Sequence, residues 1–316
     1  MNRSRKIFIT HRSLIVAIFV CGSFISACGD NKWKAKSPDD VETMNSGKLS
    51  VVCDESVKNV LNGGFELYKN DYPKVELSVK YDNSRKTMAE LLGGRERVVV
   101  SARDYLPDED SLMREFGVEK HERLKVAIDA LVFVVNKNFP IDTMNANDLR
   151  EIFTDKNKNF KNYYPILKSN PKIYIKGQNN SENNNFISLV CKNQKLTKKL
   201  NIINQNDSLI NLVKNNPESI SIMYLSSVVR RNDVKMLMIG FENDEGKYIN
   251  PKPVHQGYIV QELYPYRVNI WVYLLENRRN LPYWFASYLG KETKVQENFI
   301  KLGIVPAFAK VKLVPQ

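Results

Sequence analysis

Apolar residues fill every position from 130 to 135 (Ala-Leu-Val-Phe-Val-Val), a run of strand length that predicts burial on both faces. Such strands belong most often to parallel sheets, so a parallel setting is expected. The segment 136–140 ends the run. Asn145 then stands where it can cap a helix whose third position is Asp148 and whose Leu149, Ile152 and Phe153 share one face.

Upstream, the pattern predicts a strand over 48–53 and a helix over 57–68 with Val57, Val60, Leu61, Phe65 and Tyr68 inward. An alternating strand follows over 75–81, then helix 87–92, strand 97–101 and helix 108–116. Downstream come helix 146–153, strand 172–175, helices 184–191 and 208–214, and strand 220–224. The chain closes with an apolar strand over 268–274 and helices over 282–289 and 294–302, the first opened by Pro282. Strands alternate with helices throughout, which places the chain in the α/β class, with mixed sheets flanked by helices.

The ends differ from this body. Arg3, Arg5, Lys6 and Arg12 precede an apolar core at 14–20 and the small residues of Ile25-Ser26-Ala27-Cys28-Gly29. This segment resembles a bacterial lipoprotein signal, with 1–28 as the export signal and Cys28 as the lipidated residue. An ordinary export signal with an incidental cysteine is the other reading. Residues 29–47 are polar and aperiodic, as in a flexible tether. No later apolar run reaches the length of a membrane span.

The 316 residues carry a formal charge of +12, of which the leader supplies four, leaving +8 for the rest. That charge is not gathered on an aromatic-rich stretch, so nucleic acid is not an expected partner. It is compatible with an anionic ligand. Beyond the leader, Cys53 and Cys191 lack metal-site spacing and are expected as two buried thiols, with a disulfide the other option. His121 and His255 lie in no nucleophile or metal motif, and no Gly-x-Ser-x-Gly elbow, phosphate-cradling loop or His-Glu-x-x-His is present. No catalysis, cofactor or metal is therefore expected.

The block VAIDALVFVVNKNFPIDTMNANDLREIF at 126–153 resembles the phosphate-binding proteins of bacterial ABC uptake systems (PstS-like, periplasmic binding protein type 2). The resemblance continues, in order, through Tyr-Pro-Lys-Val at 72–75, Ser-Ala-Arg at 101–103, Pro-Glu-Ser-Ile at 217–220, Tyr-Pro-Tyr at 264–266 and Gly-Ile-Val-Pro at 303–306. It implies a two-lobed clamshell with crossovers near Val134 and Val268. Lobe 1 would comprise 48–133 and 268–316, and lobe 2 would comprise 134–267. It further implies a monomeric, exported, lipid-anchored protein that captures inorganic phosphate or a related oxyanion between the lobes for an ABC permease. A non-transport lipoprotein, acting as a sensor or interaction module with altered or lost anion binding, is the alternative.

The resemblance also implies the site. Ser56 matches a hydroxyl-bearing loop, although a plain helix cap explains a serine there equally well. Asp54 and Glu55 beside it depart from the family and are candidates to accept a ligand's proton. Ser84 and Arg85 occupy the loop 81–87, Ser101 and Arg103 the end of the third strand, and Gln178 and Ser181 the loop 177–183. Arg103 is the leading charged candidate because its planar fork can hold two oxygens, with an ion pair to Asp104 or Asp108 as the competing role. An Asn-rich stretch such as 177–183 is equally the composition of a loose linker.

Overall fold

Strand β1 (Gly47–Asp54) buries Leu49, Val51, Val52 and Cys53, and helix α1 (Lys58–Asp71) turns Val60, Leu61, Phe65 and Tyr68 inward. Strand β2 (Val75–Asp82) then returns parallel to β1, in register from Gly47 opposite Val75 to Asp54 opposite Asp82. Helix α2 (Ser84–Leu92), strand β3 (Val98–Ser101) and helix α3 (Pro107–Glu115) follow. Helix α2 starts three residues before the expected Thr87, because the Asn83 side chain accepts the Lys86 N–H and caps it. The computed structural model describes residues 42–308. The expected signal 1–28, the lipidation at Cys28 and most of the tether lie outside the described residues.

The apolar run 130–135 is the second half of a longer strand, β4 (Glu122–Asn136), 15 residues in length. Beyond it come β5 (Thr143–Asn145), α4 (Ala146–Thr154), α5 (Phe160–Tyr163) and β6 (Lys172–Ile175). Asn145 caps α4 as its position predicts, accepting the Asn147 N–H at 2.8 Å. Helix α6 (Ser181–Asn185) runs on into a π turn, and β7 (Asn201–Ile202), α7 (Asn206–Asn215) and β8 (Ser219–Tyr224) complete this region. The helix expected over 184–191 thus begins earlier, inside the Asn-rich stretch. That stretch is ordered by its own amides, such as Asn183 Nδ2 donating to Lys176 O at 3.0 Å.

Short strands β9 (Val234–Met236), β10 (Met238–Glu242) and β11 (Tyr248–Ile249) and helix α8 (Gln256–Val260) lead to β12 (Arg267–Leu274). Helices α9 (Leu281–Lys291) and α10 (Thr293–Lys301) and strand β13 (Val305–Pro306) end the described chain. Among the described residues, ten strands form one sheet with the path β2-β1-β3-β12-β4-β8-β6-β7, and β9 and β13 also pair with β4. A second sheet has the order β11-β10-β5.

Strand β4 joins the two halves of the large sheet. Up to Ala130 it pairs with β12, and from Leu131 it pairs with β8. All its partners are antiparallel, contrary to the parallel setting expected from its apolar run. Its burial comes from helices α9 and α7 packing on it, not from strand direction. The result is a two-lobed α/β fold, with β1, β2 and β3 on one side of the partner switch and β6, β7 and β8 on the other. At the switch, the buried Asp129 accepts the N–H groups of Ala130 (2.7 Å) and Ser226 (3.2 Å). The second crossing is tied to the first where Leu131 N–H reaches Tyr266 O at 2.9 Å and Tyr264 OH reaches Leu131 O at 2.8 Å.

Cys53 and Cys191 are both buried and unpaired, as two structural thiols should be. Burial pushes the Cys191 thiol up to about 12 and Cys53 well above its ordinary value, which disfavours the thiolate at both. Among the described residues, no helix is long and apolar enough to cross a membrane.

Aromatic packing anchors α9 to α1: Phe285 stacks 6.0 Å from Phe65 and meets Tyr68 edge-on at 4.9 Å. Phe285→Ala is expected to cost about 3–5 kcal/mol, read from urea unfolding, because it opens a fully buried cavity. A loss below about 1 kcal/mol would show that this helix pair does not bear on global stability.

Candidate functional site

The last residue of β1, Asp54, faces the start of α6 across the gap between the lobes, and both of its oxygens are engaged. One accepts the Ser56 N–H at 3.0 Å, and the other accepts the Ala102 N–H at 3.3 Å and the Ser181 hydroxyl. The exchange is reciprocated by Ser56 Oγ, which donates to Glu182 Oε2 at 2.6 Å. Between these, Asn180 Nδ2 donates to Glu55 Oε1 at 2.7 Å. Glu182 is fully buried, and its second oxygen lies 2.8 Å from Lys176 Nζ as an ion pair not aligned for a hydrogen bond.

A second group of contacts forms where α2 begins. Arg103, its side chain 1 % exposed, donates from Nε to Ser84 Oγ at 3.1 Å and from both Nη atoms to the Glu109 carboxylate at 2.7 Å. Ser84 Oγ in turn lies 3.0 Å from Asn179 O and 3.2 Å from Asn184 Oδ1, both on the opposite lobe. The Arg85 N–H also crosses, to Asn179 O at 3.1 Å. Lower in the gap, Asn185 Nδ2 donates to Ala102 O at 2.7 Å and to Tyr224 OH at 2.8 Å.

Five of the expected residues therefore converge between the lobes: Asp54, Glu55, Ser56, Ser84 and Ser181. Ser56 is not the helix cap, since Asp54 receives its N–H and its hydroxyl crosses the gap. Arg103 is ion-paired, but with Glu109; Asp104 pairs with Arg123 and Asp108 with Arg85. Glu109 is fixed for this role because its carboxylate also receives the Leu106 N–H. Arg85 contributes its backbone to the gap while its guanidinium faces Asp108 and Glu109.

The remaining two do not join them. Ser101 is buried in β3 with its hydroxyl unpartnered, and Gln178 is exposed, offering only its carbonyl to Asn184. The cation that the second lobe does supply is Lys176, immediately after β6, in the same strand-end position that made Arg103 a candidate. Asn180 and Asn185 were also hidden in an amide-rich stretch with no distinctive spacing. A cavity of about 330 Å³ adjoins these contacts, lined by Arg103, Tyr105 and Trp271 from one lobe and Asn184 and Asn185 from the other. A larger cavity of about 560 Å³, beside Arg150 and Tyr266, touches none of the candidate residues.

The electrostatics are those of buried carboxylates near neutrality. Burial, reinforced by the Glu182 charge, lifts Asp54 to about 6 against the opposing bonds from Ser181, Ser56 and Ala102. Burial also lifts Asp129 to about 6, with Ser226 and Ala130 pulling it down. The same environment holds the Tyr224 phenol well above its ordinary value, by burial first and then by the Glu182 and Asp54 charges.

A family profile described as a PBP superfamily domain matches residues 40–291. The chain belongs to the PBP superfamily. The fold of this superfamily member is similar to that of a phosphate ABC transporter substrate-binding protein with bound phosphate from Clostridium perfringens. That pair has a TM-score of 0.65 and 17% identity, over 82% of this chain and 99% of that one. An ABC-type phosphate transport receptor from Vibrio cholerae gives 0.64 at 16% identity, over 81% and 99%. PstS from Borrelia burgdorferi gives 0.54 at 14%, over 82% and 98%. At such identities the likeness is one of fold. No curated protein matches the chain in sequence.

Asp54 therefore ties folding stability to pH. With a folded value of about 6 and an unfolded value of about 3.9, the folded state binds the extra proton between those pH values. Its contribution to stability is complete below about pH 4 and is lost as pH rises through about 6. Asp54→Asn is therefore expected to gain on the parent protein as pH rises from 4 to 7, by on the order of 1–3 kcal/mol in urea unfolding. A difference that stays constant across this range would mean that Asp54 does not titrate in the folded protein.

Proposed function

We propose that the chain is a solute-binding protein that closes its two lobes on inorganic phosphate, or a related oxyanion, and presents the closed form to an ABC permease. In this reading it is exported as a monomer and held at a bacterial membrane by lipid on Cys28. The lobes are 48–133 with 268–316, and 134–267, turning about the two crossings. The ligand is seated by the hydroxyls of Ser56, Ser84 and Ser181 and by Lys176, with Arg103 held behind Ser84. Binding is the whole mechanism, with no bond made or broken.

The observation that carries the reading is the Glu182 carboxylate itself. It is an anion lodged between the lobes by a hydroxyl and an ammonium, the donors that would hold an oxyanion. A second reading, a non-transport lipoprotein that uses the scaffold for sensing or interaction, is favoured by the charge balance. Lys176 and Arg103 already have carboxylate partners, and Asp54 adds a further negative group.

Titration calorimetry of the purified protein, unfolded and refolded to strip carried ligand, separates the two. Saturable phosphate binding is expected, weaker for sulfate and reduced at least tenfold by Lys176→Ala and by Arg103→Ala. Absence of heat with either anion from a folded sample would favour the sensor reading.

A further inference from the structure

Three consecutive residues of lobe 1 meet three of lobe 2 in an exchange with two acceptors on lobe 1 and one on lobe 2. Asp54 accepts from Ser181, Glu55 accepts from Asn180, and Ser56 donates to Glu182. Of the two buried carboxylates in this exchange, Glu182 alone is also paired with a buried ammonium. It therefore joins a hydroxyl of lobe 1 to an ammonium of lobe 2. Asp54, which also takes the Ser181 hydroxyl from lobe 2, is otherwise held by the N–H groups of its own lobe at Ser56 and Ala102 and, among the described residues, has no cation beside it.

We propose that Glu182 is a tethered occupant of the anion seat, holding the lobes together in the absence of solute and setting the threshold a ligand must exceed. The inference rests on the solute-binding reading above and names the residue that tunes it. A carboxylate one residue from Ser181 has no linker to search through, so it competes at a very high effective concentration. A free oxyanion gains the Ser56 and Lys176 contacts only in the fraction of molecules in which Glu182 has withdrawn. Its apparent affinity is lowered by that fraction. The bond itself is of the charge-assisted kind, roughly twice as strong as one between neutral groups.

The test uses the full-length chain and two readouts. In solute-free protein, hydrogen exchange is followed at the Arg85 amide, which crosses to Asn179 O, with the β3 to β12 ladder as a folding control. Glu182→Ala is expected to speed exchange at Arg85 about tenfold or more while leaving the control unchanged, and to tighten phosphate binding about tenfold. Ser56→Ala, which keeps the Lys176 to Glu182 pair, is expected to speed the same exchange without tightening binding. Unchanged Arg85 exchange in both variants overturns the proposal, as does a measurable phosphate affinity that Glu182→Ala leaves unaltered. Accelerated exchange with no phosphate bound by either protein supports the latch and removes phosphate as the solute.

Discussion

Everything between the lobes depends on β4 being one unbroken strand. A loop at Ala130 would let the two half-sheets drift. A continuous strand instead fixes how far apart the ends of β1 and β6 stand and which way their following helices point. Asp129 matters because it sits at the point where the partner changes, satisfying the Ala130 N–H and a second one from Ser226 in the other half. An apolar residue there would take the acceptor from the buried Ala130 N–H and the half-buried Ser226 N–H, the costlier side of any hydrogen-bond exchange. The candidate site is a consequence of this arrangement: four strand-end or helix-start segments are brought face to face by a single backbone ladder.

Much of this frame was legible in the sequence because it is written in periodicity. The inward faces of α1 and α4, the Asn145 cap and the strand over 172–175 follow from spacing that only one element type can satisfy. The direction of β4 was not legible. A strand covered on both faces has the same residues whether its neighbours run with it or against it, and antiparallel β12 and β8 come from more than eighty residues away. The early start of α6 was hidden for a related reason. Asparagine side chains imitate backbone groups, so an Asn-rich segment reads as a loop until its amides are seen closing on the carbonyls of Lys176 and Gln178.

The candidate site was half legible. Serines at strand ends and helix starts stood out by position, and Asp54, Glu55, Ser56, Ser84 and Ser181 do meet. Partner choice could not be read, because it is decided by distance in space: Arg103 reaches past Asp104 to Glu109, six residues on, and Lys176 finds Glu182. Each of these cations beside the gap thus answers to a carboxylate of its own lobe before any solute arrives. The site is better described as a balanced charge network than as an open positive pocket. Such buried pairs add little net stability, because desolvating both charges offsets their attraction, but removing one partner is costly because it strands the other.

The unpaired thiols at Cys53 and Cys191 carry a further implication. Neither lobe depends on a covalent staple, so the fold is reached by burial and hydrogen bonding alone, without an oxidant or an isomerase to choose a pairing. Cys53 directly precedes Asp54, the residue that leads the cross-lobe exchange, and is fully buried. Redox conditions outside the molecule can change without touching the surface on which the lobes meet.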